Sequence, residues 1–213
     1  GQSFEAMFSR EVGGLVSYRY GGKEMIAHPP TLNFWRAPID NDEGWDMPYH
    51  MVRWANAGRY AKPAGLTLTQ ENGAATIDCV YDLAGVNGKV QVRYLVLGNG
   101  EIEVTVIYQG ETVQVPEFSY LVKLSADYSQ LSWYGLGPEE SPFDRQCGAK
   151  IGRYSSTVAE QMTPYARPQD CGNHVGTRHL ALTNQQGFGF AFEMDQLTFS
   201  ALPYTPQEIE SAW

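Results

Sequence analysis

Asp40, Asn41, Asp42 and Glu43 form an unbroken run of oxygen-bearing side chains, closed by Gly44 and followed at once by Trp45. Acids and a carboxamide at this density can do three things. They can accept hydrogen bonds from sugar hydroxyls, ligate a hard cation, or cap their own backbone turns. Trp45 adds to the first of these, because an indole can stack on a pyranose face. The cation reading is the weaker one: a calcium loop of the EF-hand type needs its Gly sixth and a Glu twelfth, and here the Gly falls fifth. Arg36, four residues before Asp40, is spaced to reach Asp40 or Asp42 in a bidentate pair and so to order the loop, with Asn41 inside the turn.

Other residues could carry chemistry by type. Glycoside hydrolysis needs two carboxyls about 5–10 Å apart, and Glu139 and Glu140 join the acidic run as candidates. With 24 acids in the chain an accidental pair is expected, so residue type selects none of them. His28, His50, His174 and His179 raise the possibility of acid–base opening of a sugar ring. His174 and His179 are five apart on a predicted strand, which turns them to opposite faces and away from joint work. Cys79, Cys147 and Cys171 are odd in number with no C-x-x-C pair, so buried free thiols are expected instead of a disulfide framework or a zinc site.

The elements that position these residues read as strands. With 213 residues, 43% of them apolar and 22 of them Gly, the chain suits one large β-rich domain. Phe4, Ala6 and Phe8, then Val16, Tyr18 and Tyr20, alternate with polar residues, and Gly13-Gly14 and Gly21-Gly22 mark the breaks. Three Asn-Gly steps at 72–73, 87–88 and 99–100 separate strands over 74–82, 89–97 and 101–109, each step suiting a type I′ turn. Further strands are predicted over 118–124, 130–133, 176–183, 187–193 and 197–201, and a loop-rich stretch over 135–161. Phe34 and Trp35 demand a core, so the 31–44 segment reads as a loop anchored at one end and polar at the other. One internal helix is predicted from Asp46 to Gly58, with Met47, Met51, Trp54 and Ala55 on one face. Thr205-Pro206-Gln207-Glu208 is a capping box that opens a second. Turn signals every 8–12 residues point to an all-β, antiparallel sandwich with one or two short helices.

The formal charge of −9 argues against nucleic acid or an anionic membrane as partner. No apolar run approaches the ~18–20 residues that span a bilayer, and residues 1–10 carry no signal-peptide pattern.

Three stretches taken together, FWRAPIDNDEG at 34–44, WYGLGPEESPFDR at 133–145 and LPYTPQEIE at 202–210, resemble the C-terminal domain of large bacterial β-galactosidases. These are lacZ-type, family-two glycoside hydrolases, and the resemblance runs over essentially the whole chain. It implies a large galactose-mutarotase-like β-sandwich, residues 1–213 being a single domain cut short at its C-terminus. The catalytic (β/α)₈ barrel with its two carboxylates would lie elsewhere in the parent chain. The parent would hydrolyse terminal β-D-galactosides such as lactose with retention. This chain would supply no catalytic residue of its own, but a pocket-edge loop at Asp42, Glu43, Gly44 and Trp45, structured by Arg36, Asp40 and Asn41. In the family, Gly44 matches the start of a mobile loop beside the active site; residues 45–48 here depart from the lacZ-type sequence. The resemblance implies no cofactor in this chain and Mg and Na bound in other domains. It also implies a barrel domain and a β-galactoside as partners, a homo-oligomeric parent, and a cytoplasmic or periplasmic location. A stand-alone carbohydrate-binding or mutarotase-like module and a purely structural domain are the alternatives.

Overall fold

The computed structural model describes residues 3–111 and 114–212; the first two residues of the predicted N-terminal meander and Trp213 lie outside them. In chain order the elements are strands β1 (Phe4–Ser9), β2 (Gly14–Tyr20), β3 (Lys23–Glu24) and β4 (Thr31–Asn33), then three short helices, α1 (Asp40–Gly44), α2 (Met47–His50) and α3 (Val52–Ala57). Strands β5 (Lys62–Glu71), β6 (Ala74–Asp82), β7 (Gly88–Val96), β8 (Ile102–Gly110) and β9 (Ser119–Leu121) follow. Then come β10 (Gln130–Gly137), β11 (Lys150–Thr157), β12 (His174–Thr183), β13 (Gly189–Phe199) and the helix α4 (Pro206–Ser211). The named strands pair antiparallel throughout, so the all-β expectation holds. The chain divides into two compact units, Gly1–Arg36 with Asp46–Ser125 and Ala37–Trp45 with Ala126–Trp213.

In the first unit, β5-β6-β7-β8 form one sheet and β1-β2-β3 another. Period-two alternation puts Ile77, Cys79, Val90, Val92 and Tyr94 on one face of the larger sheet, and all five are buried. The smaller sheet covers that face. Phe8 meets Tyr94 edge-on at 5.1 Å, and the Tyr81 hydroxyl donates to Gly13 O at 2.7 Å. This is a two-layer sandwich, in which each fully buried large apolar side chain contributes about 1.5–3 kcal/mol. Phe34 and Trp35 are 1% and 2% exposed, as their size required. Phe34 packs on Trp54 at 5.4 Å and Phe118 at 5.3 Å.

Several local expectations change. The helix predicted over 46–58 is broken at Met51 into α2 and α3, and Asp46 precedes α2 in a left-handed conformation (φ 58°) without a side-chain cap. Gly58 ends α3 with φ −78°, so it is no left-handed stop; a Cβ there would lie 2.3 Å from Leu32 O, and the glycine exists to let α3 approach β4. Of the three Asn-Gly steps, Asn72-Gly73 alone has both residues at positive φ. The β6–β7 connection turns instead on Gly85, and at 99–100 Gly100 alone is positive while Asn99 Oδ1 accepts from Glu101 N. Strand β5 was hidden by Pro63 and Gly65, which an edge strand tolerates. Strand β11 occupies part of the stretch expected to be loop-rich, and β13 is continuous where two strands were expected.

The second unit is built on the sheet β11-β10-β12-β13. One face carries Leu131, Trp133, Leu180 and Phe199 as its buried core, with Tyr154, Leu182, Phe192 and Met194 packed against it. Trp133 is 3% exposed and its indole donates to Leu136 O at 2.9 Å, so it anchors this core. Helix α4 starts on the predicted capping box: Thr205 Oγ1 accepts from Glu208 N at 3.3 Å and Glu208 Oε2 from Thr205 N at 2.7 Å. Ile209, 4% exposed, is what lets so short a helix hold.

Candidate functional site

The acidic run is a helical turn, not a loop. Asp40, Asn41, Asp42 and Glu43 lie in α1, and Gly44 is its last residue. Ile39 precedes the helix in extended backbone, and its N–H donates to Asp42 Oδ2 at 3.0 Å. Asp42 is thereby spent on the helix start and is buried, at 5% exposure. Acids in the first turn also suit the positive end of the helix, which favours helix over loop for this composition.

The segment 167–170 holds the turn from outside. Arg167 Nη2 donates to Glu43 Oε1 at 2.7 Å, Gln169 Oε1 accepts from Asp40 N at 3.2 Å, and Asp170 N donates to Ala37 O at 3.2 Å. Asp40 and Asn41 remain exposed, and Trp45 at the end of the turn is 47% exposed. Exposed acid, carboxamide and indole thus stand within six residues on a turn that three tertiary contacts immobilise. Arg36 lies in the other unit, where its Nε donates to Pro116 O at 3.2 Å. Among the described residues no group of three or more His, Cys, Asp or Glu is arranged to hold a metal ion.

A second polar cluster lies in the WYGLGPEESPFDR stretch. Glu140, a candidate carboxyl by type, has a side chain only 10% exposed. Its carboxylate accepts from Arg145 Nη2 and the Tyr165 hydroxyl, and from Gly172 N at 2.8 Å. Burial pushes its pKa up, but the bonds from Tyr165, Gly172 and Thr163 and the charge of Arg145 outweigh burial and hold it below the ordinary glutamate range. A general acid at neutral pH needs the opposite shift. Glu140 is a latch between the 138–149 and 162–173 loops. Glu139 beside it is exposed.

His174 is also structural. It is 1% exposed and packed against Trp133 at 4.4 Å and Phe199 at 5.0 Å, with Nε2 bonded to Gln161 Oε1 at 2.7 Å and Nδ1 to Leu136 O at 3.3 Å. Burial lowers its pKa. Cys79 and Cys171 are buried free thiols as expected; Cys147 is exposed, because it sits in the loop between β10 and β11.

Sequence alone did not single out Arg167, Gln169, Arg145 or Tyr165. Their partners lie 124, 129, 5 and 25 residues away, and only the 5-residue spacing is local. Arg145 was therefore the one legible signal, a cation five residues after an acid in a turn-rich stretch.

A family model described as β-galactosidase small chain matches residues 1–213. The β-galactosidase of Halalkalibacterium halodurans is 37% identical over 221 residues, covering 100% of this chain and 22% of that protein. The β-galactosidase of Streptococcus thermophilus is 37% identical over 217 residues, covering 100% and 21%. The β-galactosidase small subunit of Latilactobacillus sakei is 28% identical over 247 residues, covering 100% of this chain and 77% of that protein. The chain spans about a fifth of the length of the first two relatives. With the family model matched from end to end, the chain belongs to the β-galactosidase small-chain family.

Proposed function

We propose that the chain is a non-catalytic domain of a β-galactosidase, and that α1 with Trp45 edges the sugar pocket of that enzyme. The observation that carries this is the family match over residues 1–213, set beside the small share of the longer β-galactosidases that the chain spans. In this reading the reaction is hydrolysis of terminal β-D-galactosides with retention. Its two carboxyls, about 5–5.5 Å apart, come from a barrel domain outside residues 1–213. Three acids that residue type made eligible are otherwise occupied: Asp42 on the helix start, Glu43 on Arg167 and Glu140 in its latch.

Residues 1–213 act as one domain of a multidomain, homo-oligomeric and cytoplasmic parent. Mg and Na are assigned to its other domains, and no step here runs through either ion. Exposed Asp40 and Asn41 accept from sugar hydroxyls, and the indole of Trp45 offers an apolar face to the ring. Incubating the chain with a chromogenic β-galactoside tests the first half, and no turnover is expected. In the intact enzyme, Trp45→Ala should raise KM about tenfold, the loss of ~1.4 kcal/mol of sugar contact. Turnover by the chain alone, or an unchanged KM, would overturn the corresponding half.

The exposure of Trp45 beside Asp40 and Asn41 favours a second reading, a sugar-binding module that acts without the barrel. Calorimetric titration with lactose distinguishes it: heat from the chain alone that Trp45→Ala abolishes supports it, and no heat at millimolar sugar removes it.

A further inference from the structure

On the face of the β11-β10-β12-β13 sheet opposite Trp133, register pairs Tyr134 with Arg153 on β11 and with His179 on β12. Directly paired residues point to the same face, so Tyr134 stands between a guanidinium and an imidazole. Register shifts on both sides of Thr177 mark bulges in the β12–β13 pairing, and Arg178 beside them also reaches the tyrosine. Arg153 Cζ lies 5.4 Å from the Tyr134 ring centroid and Arg178 Cζ 5.7 Å, both within cation–π range. Arg178 Nη1 donates to Gly176 O at 2.8 Å, which fixes that guanidinium in place.

Two guanidinium groups on one ring are a local excess of positive charge in a chain of formal charge −9. Among the described residues, neither Arg153 nor Arg178 has a carboxylate at ion-pair distance. The acid in the same row, Glu193, lies beyond His179 on β13. Arg153 is exposed, and the donors of both forks other than Arg178 Nη1 are left for a ligand.

The next rows along the same strands are rich in hydroxyls. Ser132 pairs with Ser155, and Gln130 pairs with Thr157 and Thr183. These side chains and Glu160 line an open groove of about 390 Å³, within the range of small-molecule sites. Two residues of strand, roughly 6.6 Å, separate the Tyr134 row from the Ser132 row. At the far end Glu160 Oε2 accepts from Ser156 Oγ at 3.0 Å and Thr157 N at 2.8 Å, so that wall is ordered and negative. The strip therefore runs from cations, past an aromatic ring, to hydroxyls and a carboxylate.

We propose that this strip binds a phosphorylated sugar, its phosphate on Arg153 and Arg178 beside Tyr134 and its hydroxyls on Ser132, Ser155 and the groove. The planar guanidinium fork matches two oxygens of one phosphate, and charge assistance makes those bonds the strong ones. Serine hydroxyls and the Gln130 carboxamide both donate and accept, as sugar hydroxyls do. Glu160 repels a second anionic group at the far end. A neutral sugar would leave the two arginines unpaired, and bare phosphate would leave the groove unused. A ligand with an anionic head and a hydroxylated body satisfies both ends. The inference does not depend on the glycosidase reading.

Calorimetric titration of the full chain with glucose 6-phosphate, inorganic phosphate and glucose tests it. Glucose 6-phosphate should bind with Kd on the order of 1 mM, inorganic phosphate about tenfold more weakly, and glucose more weakly still. The glucose 6-phosphate Kd should rise several-fold between ~50 and ~500 mM NaCl, where the Debye length shortens. Arg153→Gln and Arg178→Gln should each weaken both anions about tenfold. Ser132→Ala combined with Ser155→Ala should bring glucose 6-phosphate down to the level of phosphate and leave phosphate unchanged. Far-UV circular dichroism checks each fold, and should Arg178→Gln fail to fold, Arg178→Lys takes its place with about a threefold weakening expected. No heat from glucose 6-phosphate at ~20 mM, binding indifferent to both arginine changes, or glucose binding as tightly as its phosphate would overturn the proposal. Inorganic phosphate binding as tightly as glucose 6-phosphate would overturn the assignment to a sugar phosphate.

Discussion

Arg167 reaches Glu43 across 124 residues of chain, Nη2 to Oε1 at 2.7 Å, with the two side chains 28% and 37% exposed. The pair joins the acidic turn to the segment that also supplies Gln169 and Asp170. It compensates one charge of a run of acids that would otherwise repel one another. Any role of the turn in binding depends on that fixation, because an ordered turn loses less conformational entropy when it meets a ligand.

Arg167→Met keeps the aliphatic stem and removes the charge. The partly exposed pair contributes about 1 kcal/mol at most. The urea midpoint should therefore fall slightly at unchanged m-value, while limited proteolysis within 40–45 should accelerate several-fold. A cleavage rate equal to wild type would show that the turn holds without Arg167.

Glu140→Gln removes the charge from a site that holds donors from Arg145, Tyr165 and Gly172. Leaving buried donors mismatched costs about 2–4 kcal/mol at pH 7. The depressed pKa sets the pH dependence. The stabilisation from Glu140 is fully present above the unfolded value of ~4.3 and is lost as pH falls through the lower folded value. Wild type and variant should therefore converge in urea midpoint only once pH has fallen below that lower folded value. A gap that persists there would assign the effect to packing and not to charge.

His174 predicts a second acid transition. Burial depresses its pKa, so the unfolded chain binds the extra proton first, and stability falls as pH drops below the unfolded value of ~6.5 toward the lower folded one. His174→Phe should flatten the stability profile as pH falls below about 6.5 while losing the bond to Gln161. A slope as steep as wild type would place the titrating group elsewhere.

The three thiols should divide one against two. Cys147 is exposed, whereas burial raises the pKa of Cys79 to about 11 and also raises that of Cys171. Titration of the native chain with a chromogenic disulfide at pH 8 should give one rapid equivalent, and Cys147→Ser should abolish it. Three rapid equivalents would mean that the cores around Cys79 and Cys171 open readily.

How much of this was legible in the residues follows from the range of the forces involved. Alternation over 90–96 and the capping box at 205–208 are local signals, set by the pleat and by one helical turn, and both stand in the structure where the sequence put them. Phe34, Trp35 and Trp133 announce burial by size alone. The failures are also local in appearance: an Asn-Gly step takes a type I′ turn only if the strands it joins leave a two-residue gap, which holds at 72–73 and not at 87–88.

The amino-acid order by itself determined the β class, the hydrophobic faces, the candidate acids and, through three motifs, the family. Only tertiary structure decided what each acid does. Asp42, Glu43 and Glu140 are alike in type, and a carboxylate becomes a cap, an ion-pair partner or a latch according to which donors folding brings to it. Those donors come from Ile39, three residues before its acid, from Arg167, far along the chain, and from Arg145, Tyr165 and Gly172 in adjacent loops. Electrostatic contacts act over a few ångströms of space whatever the sequence separation, and for the long-range ones nothing in the spacing of residues records where the partner will be.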